Sequence, residues 1–389
     1  MEKIQLGRML CDVFGENGEE IRYFFAPGRV NLLGEHIDYC GGLVFPTALT
    51  LGVTVAARKN GTGLVQMKAT DLDGIYSFGV DNIEEGKNLK WGNYQAGVAF
   101  ELSALGAEIP GMDMIFDCTV PFGAGLSSSA AYEIASGLAM AALSGFEIGM
   151  TELALVGQRA EHGFCNTNCG IMDQFASANG RKDTAMLLDC SEIKCEYVPL
   201  AINNYCIVLA NTKAKHSLGS SKYNERRAEA ERALEIIRKH CDSEEKACLC
   251  DYTSAQLCAT AWAFDDMTVF RRALHIVAEN ERVKRAAKAL ASGDLCKFGK
   301  LLCEGNDSIR YLYEVTGENL DAMIDSAKGV SGCIGSRMTG GGFGGCTVNI
   351  VDKDKVADFC AAVGERYTAR TGIVPEFYVC TPGDGAREI

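Results

Sequence analysis

The chain has 389 residues, 47% of them hydrophobic and 23% charged, and carries a formal net charge of −13. That length allows two or three domains with full cores, and the acidic balance excludes nucleic acid and anionic membrane as partners, because both are bound by basic surfaces. No apolar run is long enough to span a bilayer, Met1-Glu2-Lys3-Ile4-Gln5-Leu6 lacks the features of an export signal, and eighteen scattered cysteines with five histidines and no C-x-x-C pair read as thiols in a reducing cytoplasm.

Residues 1–22 read as a polar helical lead-in, broken at Gly15-Glu16-Asn17-Gly18. Apolar Tyr23-Phe24-Phe25 then leads into a loop that crowds Arg29, Glu35, His36 and Asp38 within ten positions. Such a set suits a polyhydroxylated ligand, whose hydroxyls each want a donor and an acceptor. The plainer alternative is a solvated loop with internal ion pairs. Residues 44–78 are strand-like, and Asn60-Gly61 between the runs 52–57 and 64–69 signals a hairpin. Trp91-Gly92-Asn93-Tyr94 opens a helix to about residue 105, its aromatics serving as core or as a purine platform.

A strand-like run, 114–120, feeds Pro121-Phe122-Gly123-Ala124-Gly125-Leu126-Ser127-Ser128-Ser129-Ala130-Ala131, and a small-residue helix follows over about 128–143. Strand, glycine turn and helix start together make an anion site: glycines bring backbone N–H groups close, and the helix N-terminus adds unpaired donors. The chain holds no G-x-x-x-x-G-K-[ST], so a nucleotide here would not sit on a P-loop. The alternative is a small-residue turn where helix and strand pack closely. A helix over 152–161 leads to Cys169-Gly170-Ile171-Met172-Asp173-Gln174-Phe175. Asp173 stands there among apolar and small residues, either capped and structural or held charged by a cation because it has work to do.

A strand over 205–210 starts a second unit, followed by Lys215-His216-Ser217, the segment Tyr223-Asn224-Glu225-Arg226-Arg227, and a charged helix ending in Arg238-Lys239-His240. Cysteine- and alanine-rich helices run to about 302. Ser336-Arg337-Met338-Thr339-Gly340-Gly341-Gly342-Phe343-Gly344-Gly345-Cys346 precedes a strand over 347–351. Five glycines in one turn serve unusual backbone angles or a close approach to the backbone.

With these pieces in order, the chain resembles the galactokinases of the GHMP small-molecule kinase superfamily over nearly its whole length. The three family motifs appear in sequence as Gly28-Arg29-Val30-Asn31-Leu32-Leu33-Gly34-Glu35-His36-Ile37-Asp38-Tyr39, the loop 123–131, and residues 338–346. The first is close to specific for galactokinase, and Cys169–Phe175 and Tyr223–Arg227 are also galactokinase-like. The resemblance implies an α/β (α+β) two-domain GHMP kinase fold with its active site in the interdomain cleft, divided here as 1–200 and 201–389. It implies transfer of the ATP γ-phosphoryl group to the anomeric hydroxyl of D-galactose, in the cytoplasm, by a monomer with small-molecule partners only.

Carried over by motif, Asp173 is the catalytic base and Arg29 the cation beside it, a pairing that favours the charged carboxylate and steadies developing negative charge. Arg29, Glu35, His36, Asp38, Gly170, Asp173 and Tyr223 match the sugar-holding positions. Gly123, Ala124, Gly125, Leu126, Ser127, Ser128, Ser129 and Ala130 would wrap the ATP phosphates, Trp91 and Tyr94 would flank adenine, and Ser129 and Glu161 would hold Mg2+. The third motif is expected to support the phosphate loop. Ile37 and Cys40 depart from the family's threonine and asparagine beside the sugar contacts, where a shift in sugar preference would arise. Gly305-Asn306 replaces a commoner serine-histidine. The rivals are a 1-kinase for N-acetylgalactosamine or galacturonic acid, and a non-catalytic galactose and ATP sensor; the complete serine loop and the presence of Arg29 and Asp173 speak against the sensor.

Overall fold

The computed structural model describes residues 1–121, 123–214, 219–241 and 245–389, with 219–221 as backbone only. Phe122 and the Lys215-His216-Ser217 segment therefore lie outside the described residues. In the first half the order is α1 (Lys3–Phe14), β1 (Arg22–Asn31), β2 (Leu43–Val44), β3 (Pro46–Lys59), β4 (Leu64–Ala69), β5 (Ile75–Gly79), α2 (Gly92–Ala104), β6 (Met112–Cys118), α3 (Ser128–Ser144), α4 (Met150–Phe164), α5 (Met172–Asn179), β7 (Thr184–Asp189) and β8 (Lys194–Pro199). The second half continues with β9 (Tyr205–Asn211), α6 (Gly219–His240), α7 (Ser254–Ala259), α8 (Met267–Ala291), α9 (Leu295–Ser308), α10 (Gly317–Ala327), β10 (Cys333–Met338), β11 (Cys346–Asp352), α11 (Val356–Thr371), β12 (Glu376–Cys380) and β13 (Arg387–Glu388). Among the described residues no helix is long and apolar enough to cross a membrane.

The strands form a six-stranded sheet in the order β13-β1-β3-β6-β4-β5, a three-stranded sheet β2-β7-β8, and a four-stranded antiparallel sheet β10-β11-β9-β12. The chain changes sheets between Pro199 and Tyr205, yet its last strand returns to the first sheet, where Phe24 pairs with Glu388. Alternation of apolar residues sets which strand faces are buried. Leu6 and Leu10 of α1 pack on Ala56 and Ile115 on one face of the large sheet. The small-residue helix α3 is buried along almost all its length against the other elements of this half, which its alanines and glycine allow by letting backbones approach. A single core runs from the large sheet to α8, α9 and the inner strands of the small sheet. That continuity fixes the two halves against each other.

The hairpin expected at Asn60-Gly61 does not form. β6 lies between the two strands, antiparallel to β3 (Val55 opposite Phe116) and parallel to β4 (Met67 opposite Met114). The reason is burial: Met112–Phe116 are all inaccessible, and a strand buried on both faces needs ladder partners on both edges. Asn60 serves that arrangement, its N–H bonding Gly111 O at 3.1 Å and its side chain Asp113 at 2.9 Å. Arg29 also differs from expectation: it stands in strand β1 rather than in a loop, just past a register shift between Pro27 and Arg29. The extra residues are on β3, where Leu49, Thr50 and Leu51 stand opposite Gly28 alone.

Candidate active site

Arg29, on β1 just past its register shift against β3, reaches the start of α5. Its guanidinium meets Asp173 with both edges of the fork, Nε to Oδ1 and Nη2 to Oδ2, each at 2.7 Å, and Nη1 donates to Gly125 O at 2.8 Å. Arg29 is buried, while the Asp173 carboxylate keeps 30% of its surface. A bidentate pair with one open side leaves the carboxylate oriented yet reachable. Ser127, in the left-handed region at φ 59°, donates to Asp173 Oδ2 at 2.5 Å. Sequence reasoning placed Ser127 with the phosphates only; its bond to Asp173 depends on the loop's backbone and has no linear signal.

The seven sugar-side residues come together. Arg29, Glu35, His36, Asp38, Gly170, Asp173 and Tyr223 line one cavity of about 360 Å³, completed by Cys169, Met172, Gly340 and Gly341. Both halves of the chain contribute, so the cavity lies in the cleft between them. The third glycine motif does more than support the phosphate loop, since it forms part of this wall. It also supports the loop: a methyl group on Gly340 would come within 2.5 Å of Gly125 O.

Around the cavity the hydrogen bonds fix one protonation pattern. His36 Nε2 lies 3.1 Å from Gly341 O, which only accepts, so Nε2 carries the proton. Nδ1 then accepts from Tyr39 (3.0 Å), whose hydroxyl accepts from Tyr313 (2.7 Å). Burial, with His275 nearby, pushes the His36 imidazole down to about 3 and keeps it neutral. Asp38 is pushed up to about 6, by burial first and by the charge of Asp173 second. Glu35 forms an ion pair with Arg337 from β10.

Ile37 and Cys40 do not line the cavity. Ile37 is in the core, and the Cys40 thiol faces His36 O at 3.9 Å. Any effect of these two departures on sugar preference would therefore be indirect, through the loop that carries His36 and Asp38. Asn306 is structural, its Oδ1 accepting from Met338 N at 3.2 Å.

On the other side of the serine loop lies a cavity of about 510 Å³, lined by Trp91, Tyr94, Ser128, Ser129, Tyr132 and Asp71 among others. Trp91 packs edge-on against Tyr76 and Phe116 and is tilted against Tyr132. The Ser127 side chain does not cap the N-terminus of α3, and the first-turn N–H groups there suit an anion. Ala124 and Leu126 have buried side chains and can offer the loop only backbone. Beneath it Glu133 and Glu161 face each other, both buried, with Ser129 beside Glu161. Burial pushes both carboxyls up, and for Glu133 the facing Glu161 is the next cause. Asp173 is close by, but among the described residues no three acidic, histidine or cysteine side chains are grouped to hold a metal ion by themselves; Ser129 and Glu161 offer one hydroxyl and one carboxylate, the kind of partial oxygen set that Mg2+ takes when phosphates complete it.

Three comparisons bear on this geometry. Family profiles match the galactokinase galactose-binding signature at residues 11–59, the GHMP kinases N terminal domain at 93–181 and the GHMP kinases C terminal domain at 286–369. The galactokinase of Clostridium tetani (strain Massachusetts / E88) is 42% identical over 99% of this chain and 97% of its own, and that of Bacillus subtilis (strain 168) is 42% identical over 99% and 98%. The crystal structure of Lactococcus lactis galactokinase complexed with galactose superposes with a TM-score of 0.95 at 38% identity, covering 99% of both chains. A mevalonate kinase structure, at 17% identity and a TM-score of 0.65, shares the fold.

Proposed function

As a member of the galactokinase family within the GHMP kinases, the chain is an ATP-dependent sugar kinase, and we propose that it transfers the ATP γ-phosphoryl group to the anomeric hydroxyl of D-galactose. The observation that carries this reading is the Arg29–Asp173 fork pair opening into a cavity built from the sugar-side residues. In the reaction Asp173 accepts the O1 proton as O1 bonds to the γ-phosphorus. The bond from that phosphorus to the β–γ bridging oxygen breaks, and ADP leaves with its electron pair. Arg29 orients the carboxylate and stabilises the charge that gathers on the transferring group.

Asp38, His36, Glu35, Gly170 and Tyr223 hold the sugar. His36, with Nε2 committed to Gly341 O, acts through ring contact and by shaping the wall. Residues Gly123 to Ala130 wrap the phosphates through backbone N–H groups and the hydroxyls of Ser128 and Ser129, while Trp91 and Tyr94 flank the adenine. Ser129 and Glu161 would hold Mg2+, which when bound neutralises phosphate charge. We also infer a cytoplasmic monomer; its division near residue 200 is supported by the change of sheet after Pro199.

The test is ATP turnover with magnesium against galactose, glucose, N-acetylgalactosamine and galacturonic acid. A strong preference for galactose is expected. Preference for another sugar would overturn the substrate, and binding without turnover would overturn the enzyme.

Gly170→Ala probes the pocket more finely. A methyl group at Gly170 would overlap the Asp38 carboxylate, so Asp38 must shift. One charge-assisted hydrogen bond to a sugar hydroxyl, about 1.5–3 kcal/mol, corresponds to about a 10- to 100-fold rise in the galactose KM. The KM for ATP should stay unchanged; equal rises in both constants would refute the placement of Asp38 on the sugar.

A further inference from the structure

Behind the sugar cavity lies a buried set of charges that the reaction does not use. Arg337 of β10 pairs with Glu35, donates from Nη1 to Leu32 O at 2.9 Å, and lies 3.5 Å from Glu279 Oε1. Glu279, on α8, accepts from Gly34 N at 2.9 Å and pairs with Arg282 one turn along the same helix. His275, also on α8, meets Glu35 O at 3.3 Å through Nε2, and its Nδ1 lies 2.9 Å from Ser308 Oγ at the end of α9. Glu35 O only accepts, so Nε2 carries the proton and Ser308 donates to Nδ1. The Arg337, Glu279 and His275 side chains are inaccessible, and Glu35 is nearly so.

Two elements of the second half, β10 and α8, thus grip one loop of the first, at Leu32, Gly34 and Glu35, with α9 bracing His275. The loop needs the grip. Gly34 has φ 101° and His36, a non-glycine residue, has φ 62°; a left-handed side-chain-bearing residue persists only where its surroundings over-determine it. Two acids and two bases alternate, but burial, with Glu279 nearby, pushes Glu35 up to about 8 in spite of Arg337, so the paired charge rests chiefly on Glu279 and the two arginines. Against the burial that opposes its charge, Arg337 and Arg282 hold Glu279 below the ordinary carboxylate value.

We propose that Arg337 and Glu279 are positioning residues for sugar binding: they touch neither substrate, and they set galactose affinity by fixing the loop that presents Glu35, His36 and Asp38. This rests on the galactokinase reading. It goes beyond that reading in placing part of the sugar specificity on α8 and β10, outside the cavity. The bare fold alternative is that the quartet only holds the halves together.

The test uses Arg337→Lys and the isosteric Glu279→Gln in the full-length protein, measuring both KM values, kcat and Tm beside wild type. Loss of geometry at the loop is expected to raise the galactose KM about tenfold or more, with the ATP KM and kcat within about twofold. A purely structural role predicts a lower Tm, or less active protein, with the galactose KM unmoved. That result in a folded variant overturns the proposal, as does failure of both variants to fold. Wild type controls the premise: absence of galactose turnover there defeats the kinase reading, whereas normal wild-type turnover with an unmoved variant KM defeats only the positioning role.

Discussion

Asp173→Asn is expected to lower kcat by about a thousandfold, the middle to upper part of the range for loss of a general base, while the protein stays folded and still binds galactose. Asparagine keeps the shape of the side chain and can still accept from Ser127, so the loop contact at Oδ2 survives. It removes the carboxylate's basicity, and it sets an amide N–H₂ against the Arg29 fork. Breaking a buried ion pair by removing one partner costs about 3–5 kcal/mol, but the Asp173 carboxylate keeps 30% of its surface, and water discounts that loss. Arg29 also retains Gly125 O. Turnover with ATP and galactose, together with galactose binding by calorimetry, checks both halves of the expectation. A variant that keeps most of its kcat would remove Asp173 from the chemistry and return it to the role of a helix-start carboxylate.

Arg29→Lys has the second largest expected effect, a loss of about 100-fold or more in kcat. The change keeps the charge and discards the geometry. The guanidinium of Arg29 satisfies three partners at once, the two oxygens of Asp173 and the carbonyl of Gly125, and a single ammonium cannot reproduce a planar fork. Removal of one preorganised donor at a reacting centre typically costs 10²–10³ in rate, and here the same change also frees the base to rotate. Because Arg29 ties β1 to the serine loop, some loss of stability is expected too. A Tm scan separates that from the kinetics: near-wild-type turnover in the folded fraction would make Arg29 a residue of the fold alone.

Most of the candidate site was legible in the linear chain, because its recognition elements are short contiguous strings. Residues 28–39, 123–131 and 169–175 each carry their own glycine turns and polar side chains; the structure brings members of the first and third into the sugar cavity and serines of the second into the neighbouring one. The helices α2, α3 and α4 were legible for the same local reason, from small or periodic apolar residues. What the chain did not reveal are the relations between distant segments. Arg337 looked like a residue inside a glycine motif, although a lone arginine next to apolar strand positions is a signal of a buried charge that needs a partner. Its partners, Glu35 and Glu279, come from elsewhere in the chain, and no spacing links them.

The sequence by itself determined the family, the α/β class, the nucleophile-activating carboxylate candidate and the loops that crowd polar groups, since these depend on local residue order. Only the tertiary structure decided that β6 divides the Asn60-Gly61 pair of strands, that Arg29 of β1 meets Asp173 of α5, that Ile37 and Cys40 stand outside the sugar cavity, and that Gly341 O fixes the proton on His36. Each of those depends on which buried polar group finds which partner across the core. A chain must satisfy such groups on folding, but the partner is chosen by packing in three dimensions.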